Sequence, residues 1–277
     1  MLYLILRIER DVLEDVNNSS SKEIFKRFLS GVFLIILALY LNFHGGFLFF
    51  AAIFIASVIL IREFYKLFNI NIFHLNFYFN VFICLSILIC TFLNLYYFSV
   101  TFFLSGIIFS LYVFKGRLLL SAVPYFYLFA PLALLINLNS YNEGKLIIYW
   151  IYLVVWTVDI SGYVFGNLFK GRKLIPSISP NKTWSGFIMG VILSGFVSVI
   201  YAKLISLNNL LFFFIFGLIG GLVSVAGDLF ESKLKRINNK KDVSSLIPGH
   251  GGLLDRLDGF LFVILYYWLL SFFRSIF

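Results

Sequence analysis

Residues able to do chemistry crowd into one stretch of this chain. Between Ser232 and Asp258 it places Lys235, Arg236, Lys241, Asp242, Pro248, His250, Gly251, Gly252, Asp255 and Arg256, a polar island between two long apolar segments. Asp oxygens hold Mg²⁺, while Lys, Arg and backbone N–H groups neutralise phosphate oxygens, so the mixture suits a metal-bound polyphosphate. Just upstream, Asp228 closes the apolar run that starts at Gly220. If that run continues as a helix out of the membrane, offsets of four and seven residues put Asp228, Ser232 and Lys235 on one stripe. The plainer alternative is a solvated helix face with a Glu231–Lys235 pair at i,i+4. Pro248 to Gly252 is too glycine-rich for a helix and lets backbone approach a ligand closely. It leads into a helix that begins near Asp255, and a glycine loop feeding a helix N-terminus is a generic anion site. Asp255 and Asp258, three apart, are neighbours on one helix side and could hold a metal together with Asp228, although first-turn acids also merely complement the helix dipole. His250 has no second His or Cys at ligand spacing, so zinc is not indicated and a loop-shaping or hydrogen-bonding role remains.

Two further features face the same way. Asp159 interrupts the apolar run Leu153–Gly162, where an ionisable group is costly and needs a partner or a function. The polar loop 170–186 contains Ser179-Pro180, an N-cap and N1 signature that places Lys182 and Thr183 in the first turn of the next helix.

The elements that must carry these residues are membrane helices. Of 277 residues, 61% are hydrophobic and 13% charged, and the mean hydropathy is +0.97. That composition excludes an ordinary soluble domain. Apolar segments near 28–43, 46–61, 77–93, 95–114, 118–138, 146–166, 186–206, 210–230 and 259–276 approach the length of about 20 residues that a span needs. The reading is an all-α, polytopic integral membrane protein with about nine transmembrane helices. With a cytoplasmic N-terminus, nineteen Lys and Arg fall inside and only Lys145, Lys203 and Arg274 outside, as the positive-inside rule requires. The net charge of +9 then follows from topology, and anionic lipid rather than nucleic acid is the expected electrostatic neighbour. Residues 1–27 mix acids with bases and read as a cytoplasmic tail rather than a cleavable signal, leaving 28–277 as a single transmembrane catalytic domain. Cys84 and Cys90 form no paired framework.

These motifs resemble the phosphatidate cytidylyltransferases, or CDP-diacylglycerol synthases. The signature runs through Ser232, Lys235-Arg236, Lys241-Asp242, Pro248, His250-Gly251-Gly252, Asp255-Arg256 and Asp258, with Gly227-Asp228, Trp156, Asp159, Gly162, Gly166 and Ser179 to Thr183 upstream. Asn181 stands where members commonly carry a base, and Ser185 where a Glu is usual. The resemblance implies Mg²⁺-dependent condensation of CTP with phosphatidic acid to CDP-diacylglycerol and pyrophosphate, a step of phospholipid biosynthesis. It implies that Asp228 and Asp255 hold Mg²⁺, with room for a second cation, and that Ser232, Lys235 and Asp258 complete the catalytic set. Asp159, Lys182, Arg236, Lys241, Asp242, His250, Gly251, Gly252 and Arg256 would contact substrate. It also implies a multi-pass enzyme of the cell inner membrane, working as a homodimer, with its site facing the cytoplasm. Two competitors share some of these features: a CTP-using lipid-alcohol kinase, and a cation-coupled transporter with Asp159 and Asp228 as ion ligands.

Overall fold

A computed structural model describes residues 29–70, 75–240, 242–244, 246 and 251–271, with Leu118 and Leu119 described by backbone alone. The expected tail 1–27, Lys241 and His250 lie outside the described residues. Helix α1 covers Leu29–His44. It is followed by α2 (Gly46–Leu67), α3 (Leu75–Phe92), α4 (Tyr96–Val113), α5 (Leu118–Ser121), a π-helical turn (Tyr125–Phe129) and α6 (Ala130–Asn139). Then come α7 (Asn142–Phe169), strands β1 (Lys173–Ile175) and β2 (Ser179–Thr183), α8 (Trp184–Leu204), α9 (Leu210–Ile237) and α10 (Leu254–Ser271).

Among the described residues, six helices are long and apolar enough to cross a membrane: α2, α3, α4, α7, α8 and α9. The expected count of nine is therefore not confirmed. The described part of α1 is shorter, and segment 118–138 breaks into α5, the π-helical turn and α6. Pro124 caps the turn and Pro131 stands at the start of α6, and each lacks the N–H that an unbroken helix would use. Helix α10 begins earlier than its apolar run, so that Asp255, Arg256 and Asp258 lie on its first turns.

Small residues decide how α7 to α10 pack. In α8, Gly186, Gly190, Ser194, Ser198 and Ala202 recur every fourth residue on the buried face, while Ile188, Ile192, Phe196, Ile200 and Leu204 line the exposed one. Bulk on the outside and small residues inside is the pattern of a lipid-facing helix whose partners come close. A Cβ on Gly186 would stand 2.5 Å from the Gly162 carbonyl of α7. Polar side chains then bond across the seams: Trp150 Nε1 donates to Ser198 Oγ (2.9 Å), and Ser194 Oγ to the Gly217 carbonyl (2.9 Å). The α9–α10 seam is equally tight, since a Cβ on Gly227 would meet the Asp258 carbonyl at 2.6 Å and one on Gly259 would meet Ser224 Oγ at 2.7 Å. That closeness sets Asp228 beside Asp258.

A second group of helices is tied by one buried polar network. Asn80 of α3 donates to the Tyr65 hydroxyl of α2 (2.7 Å) and accepts from Tyr125 of the π-helical turn (2.7 Å) and Ser110 of α4 (3.1 Å). Every member is bonded, which makes such a network rigid rather than costly. Two hydrophobic clusters join the halves: one gathers Leu60, Phe64, Leu128, Leu234 and Leu261, the other Phe49, Ile148, Val154, Phe216 and Ile264.

The loop after α7 differs from expectation. Residues 179–183 do not start a helix but form β2, paired antiparallel with β1 (Lys173 opposite Thr183). Thr183, not Ser179, caps α8, accepting from Gly186 N at 3.2 Å. Ser-Pro is compatible with an extended edge as well as with a cap. Pairing with Lys173-Leu174-Ile175 decides between them.

Candidate active site

Helices α2, α7 and α9 deliver their C-terminal ends, and α8 and α10 their N-terminal ends, to one end of the bundle. The α9 stripe forms there as expected: Ser232 Oγ donates to Asp228 Oδ1 at 3.3 Å. Lys182, carried on β2, pairs with the other oxygen of Asp228. One turn on, Lys235 Nζ stands 2.7 Å from Glu231 Oε2 and 2.7 Å from Asp255 Oδ1. The Glu231–Lys235 pair is thus real, but it is no solvated face, because the Glu231 side chain is 0% exposed and that of Lys235 12%. Losing one partner of a buried ion pair leaves an uncompensated charge, and here one ammonium serves two carboxylates.

The carboxylates expected to hold metal differ in what they already bind. Asp255 uses Oδ1 for Lys235, and its Oδ2 accepts from the backbone N–H groups of Gly252 (2.8 Å) and Val243 (3.3 Å). Asp258 accepts from Gly259 N (2.7 Å), and the close α9–α10 seam at Gly227 brings Asp228 near it, with Glu231 and Asp159 also in electrostatic reach. Asp159, exposed on α7, lies in electrostatic reach of Asp228, Lys182 and Arg256. Acids from α7, α9 and α10 therefore converge. Arg236 is engaged differently: its Nε donates to the Ile178 carbonyl (3.1 Å) and a terminal nitrogen to that of Lys240 (3.2 Å), pinning the β-hairpin to the end of α9. Asp242 is exposed, and among the described residues no hydrogen bond or ion pair ties it to the cluster.

Sequence reasoning missed Glu63. This α2 side chain, 3% exposed, reaches across to the start of α10. It accepts from Leu253 N (3.1 Å), Leu254 N (2.8 Å) and the Ser244 hydroxyl. A carboxylate at a helix N-terminus satisfies orphan N–H groups and complements the dipole. The glycines follow from it, since a Cβ on Gly252 would stand 2.8 Å from Glu63 Oε1 and one on Gly251, at φ +85°, 2.9 Å from Asp255 Oδ2. The anion at this helix start is thus the protein's own. The available signal was the adjacent pair Arg62-Glu63 within an apolar run. Glu63→Gln sets an amide N–H₂ against backbone donors, and we expect it to cost about 1–3 kcal/mol, the penalty of a buried donor left unsatisfied. A fall in the thermal unfolding midpoint of detergent-purified protein would register it.

A sequence profile described as the cytidylyltransferase family matches residues 25–273, which takes in every helix of the bundle and the whole acidic cluster. The chain belongs to the cytidylyltransferase family. Among similar curated proteins is the phosphatidate cytidylyltransferase of Rickettsia typhi, 39% identical over 135 residues, 46% of this chain and 59% of the relative. Another, from Staphylococcus saprophyticus, is 42% identical over 124 residues, 44% of this chain and 48% of the relative. The chain thus spans less than two thirds of the length of these relatives. The resemblance read from the polar island holds at the level of the family.

Proposed function

We propose that this protein transfers the cytidylyl group of CTP to phosphatidic acid, giving CDP-diacylglycerol and pyrophosphate. The observation that carries the reading is the gathering of Asp228, Asp258, Lys182 and Lys235 at the ends of apolar helices, where a lipid phosphate and a soluble nucleotide can meet. The names of the relatives support the same substrates.

In this reaction a phosphate oxygen of the lipid attacks the α-phosphorus of CTP, and pyrophosphate leaves. Both partners are anions, so the barrier is chiefly one of charge and alignment. Lys182, in a partly exposed pair, is placed to exchange Asp228 for a nucleotide phosphate. Lys235, fixed between two carboxylates, holds Asp255 and the start of α10 in register.

The residues fit Mg²⁺. Among the described residues no group of three His, Cys, Asp or Glu could hold a metal, but Mg²⁺ is commonly held by one or two carboxylates plus substrate phosphates and water. Asp228 and Asp258 would hold it: Asp228 sits in a partly exposed pair with Lys182 that an ion can replace, whereas Asp255 is buried and bound by Lys235 and two backbone N–H groups. When bound, the ion would offset the negative charge on the phosphate oxygens.

The site end also carries Arg62, Lys66, Lys170, Arg172 and Lys173, whereas Lys145 and Lys203 mark the opposite end. By the positive-inside rule this supports a site facing the cytoplasm from the inner membrane. Purified protein given CTP, Mg²⁺ and phosphatidic acid should release pyrophosphate and CDP-diacylglycerol. With a lipid alcohol such as a polyprenol in place of phosphatidic acid, release of CDP and a phosphorylated lipid would assign it to the lipid-alcohol kinases instead.

A further inference from the structure

Tyr127 sits in the middle of the π-helical turn Tyr125–Phe129. Its ring meets Phe230 of α9 and Phe262 of α10 edge-on, with centroids 5.2 and 5.7 Å apart, and 3% of the residue is exposed. The hydroxyl has no hydrogen-bond partner among the described residues. Those ring partners adjoin the acidic cluster: Phe230 precedes Glu231 on α9, and Phe262 lies one turn beyond Asp258 on α10. An otherwise apolar side chain thus buries its single, unpartnered polar atom between the two helices that carry Asp228, Glu231, Asp255 and Asp258.

Its neighbour shows that the turn can satisfy a buried tyrosine. Tyr125 donates to Asn80 Oδ1 at 2.7 Å and lies 3.3 Å from Ser110 Oγ. For Tyr127 a Phe would fill the same space without a desolvated hydroxyl. The hydroxyl is therefore a standing cost to the fold as described, and it lies where carboxylates gather.

We propose that the Tyr127 hydroxyl is a positioning group of the active site, donating a hydrogen bond to the Asp258 edge of the acidic cluster when substrate is bound. The proposal rests on the functional reading above. Lys182 now compensates Asp228. As an incoming phosphate draws Lys182 away, the cluster loses a cation. A donor already held by Phe230 and Phe262 then fixes Asp258 opposite Asp228, and a hydrogen bond to a charged acceptor is stronger than one between neutral groups.

The test is Tyr127→Phe in the full chain, read by thermal midpoint in detergent and by kcat and KM for CTP. We expect the midpoint to be unchanged or higher, kcat to fall about ten-fold, the worth of one charge-assisted hydrogen bond, and KM to change less than two-fold. Any fall in the midpoint overturns the proposal whatever the activity does, because the hydroxyl would then have a structural partner. Unchanged kcat overturns it as well, and so does a rise in KM alone, which would mark a direct substrate contact. Parent protein in the same assay separates the two readings. A parent that makes no CDP-diacylglycerol sinks the functional assignment, whereas an active parent leaves the variant to judge Tyr127.

Discussion

Asp228→Asn should lower CDP-diacylglycerol formation by about 10²–10³-fold, the scale on which loss of one preorganised charge-stabilising group acts, while the bundle stays folded. Stability survives because the Asp228 side chain is 28% exposed and its partner Lys182 27%. A partly exposed pair of this kind contributes about 1 kcal/mol or less. The amide can still accept from Ser232, whose hydroxyl donates to Oδ1 in the parent. What disappears is the negative charge facing Asp258 and anchoring Lys182. The check is product formation beside a thermal midpoint within a few degrees of the parent. More than a tenth of parental activity in a folded variant would remove Asp228 from the reaction and undo the proposed metal pair. Asp258→Asn should behave alike, whereas Asp255→Asn should also lower stability, because it weakens contacts to Lys235, Gly252 and Val243.

The parts of this site that could be read in sequence are those written in local spacing. Asp228, Ser232 and Lys235 share a stripe because helical periodicity fixes it, and α9 does continue unbroken from Leu210 to Ile237. Asp255 and Asp258 follow the glycines closely enough that one helix start had to carry both. Residues whose role depends on another helix left little trace. Glu63 lies 190 positions from Leu253, and Tyr127 stands in a segment that hydropathy reads as one span but prolines divide. The same blindness explains the division of labour among the acids. Spacing makes Asp255 and Asp258 equivalent, and only the approach of Lys235 and the Gly252 backbone to one, and of Asp228 to the other, tells them apart. Hydropathy likewise marks apolar stretches without measuring helices, so the broken 118–138 segment reads as one span.

Lys235→Met should be among the most destabilising single changes in the chain, by about 3–5 kcal/mol, because it strands buried carboxylates without their cation. Glu231 is 0% and Asp255 6% exposed at the side chain, so neither can be rescued by water. Asp255 would retain the N–H groups of Gly252 and Val243. Glu231 faces the lost ammonium directly, so most of the cost falls on it. Adding Glu231→Gln should therefore recover most of the lost stability, since a neutral amide needs no counter-charge. A single variant as stable as the parent would mean that the two acids do not depend on Lys235. The double variant also separates scaffold from chemistry. If Lys235 orders Asp255 and the α10 start during phosphoryl transfer, the recovered fold should still make CDP-diacylglycerol at least about 10²-fold more slowly. Recovery of turnover together with stability would confine Lys235 to the framework, and the bases acting on phosphate would have to be sought on the β-hairpin, with Lys182 first.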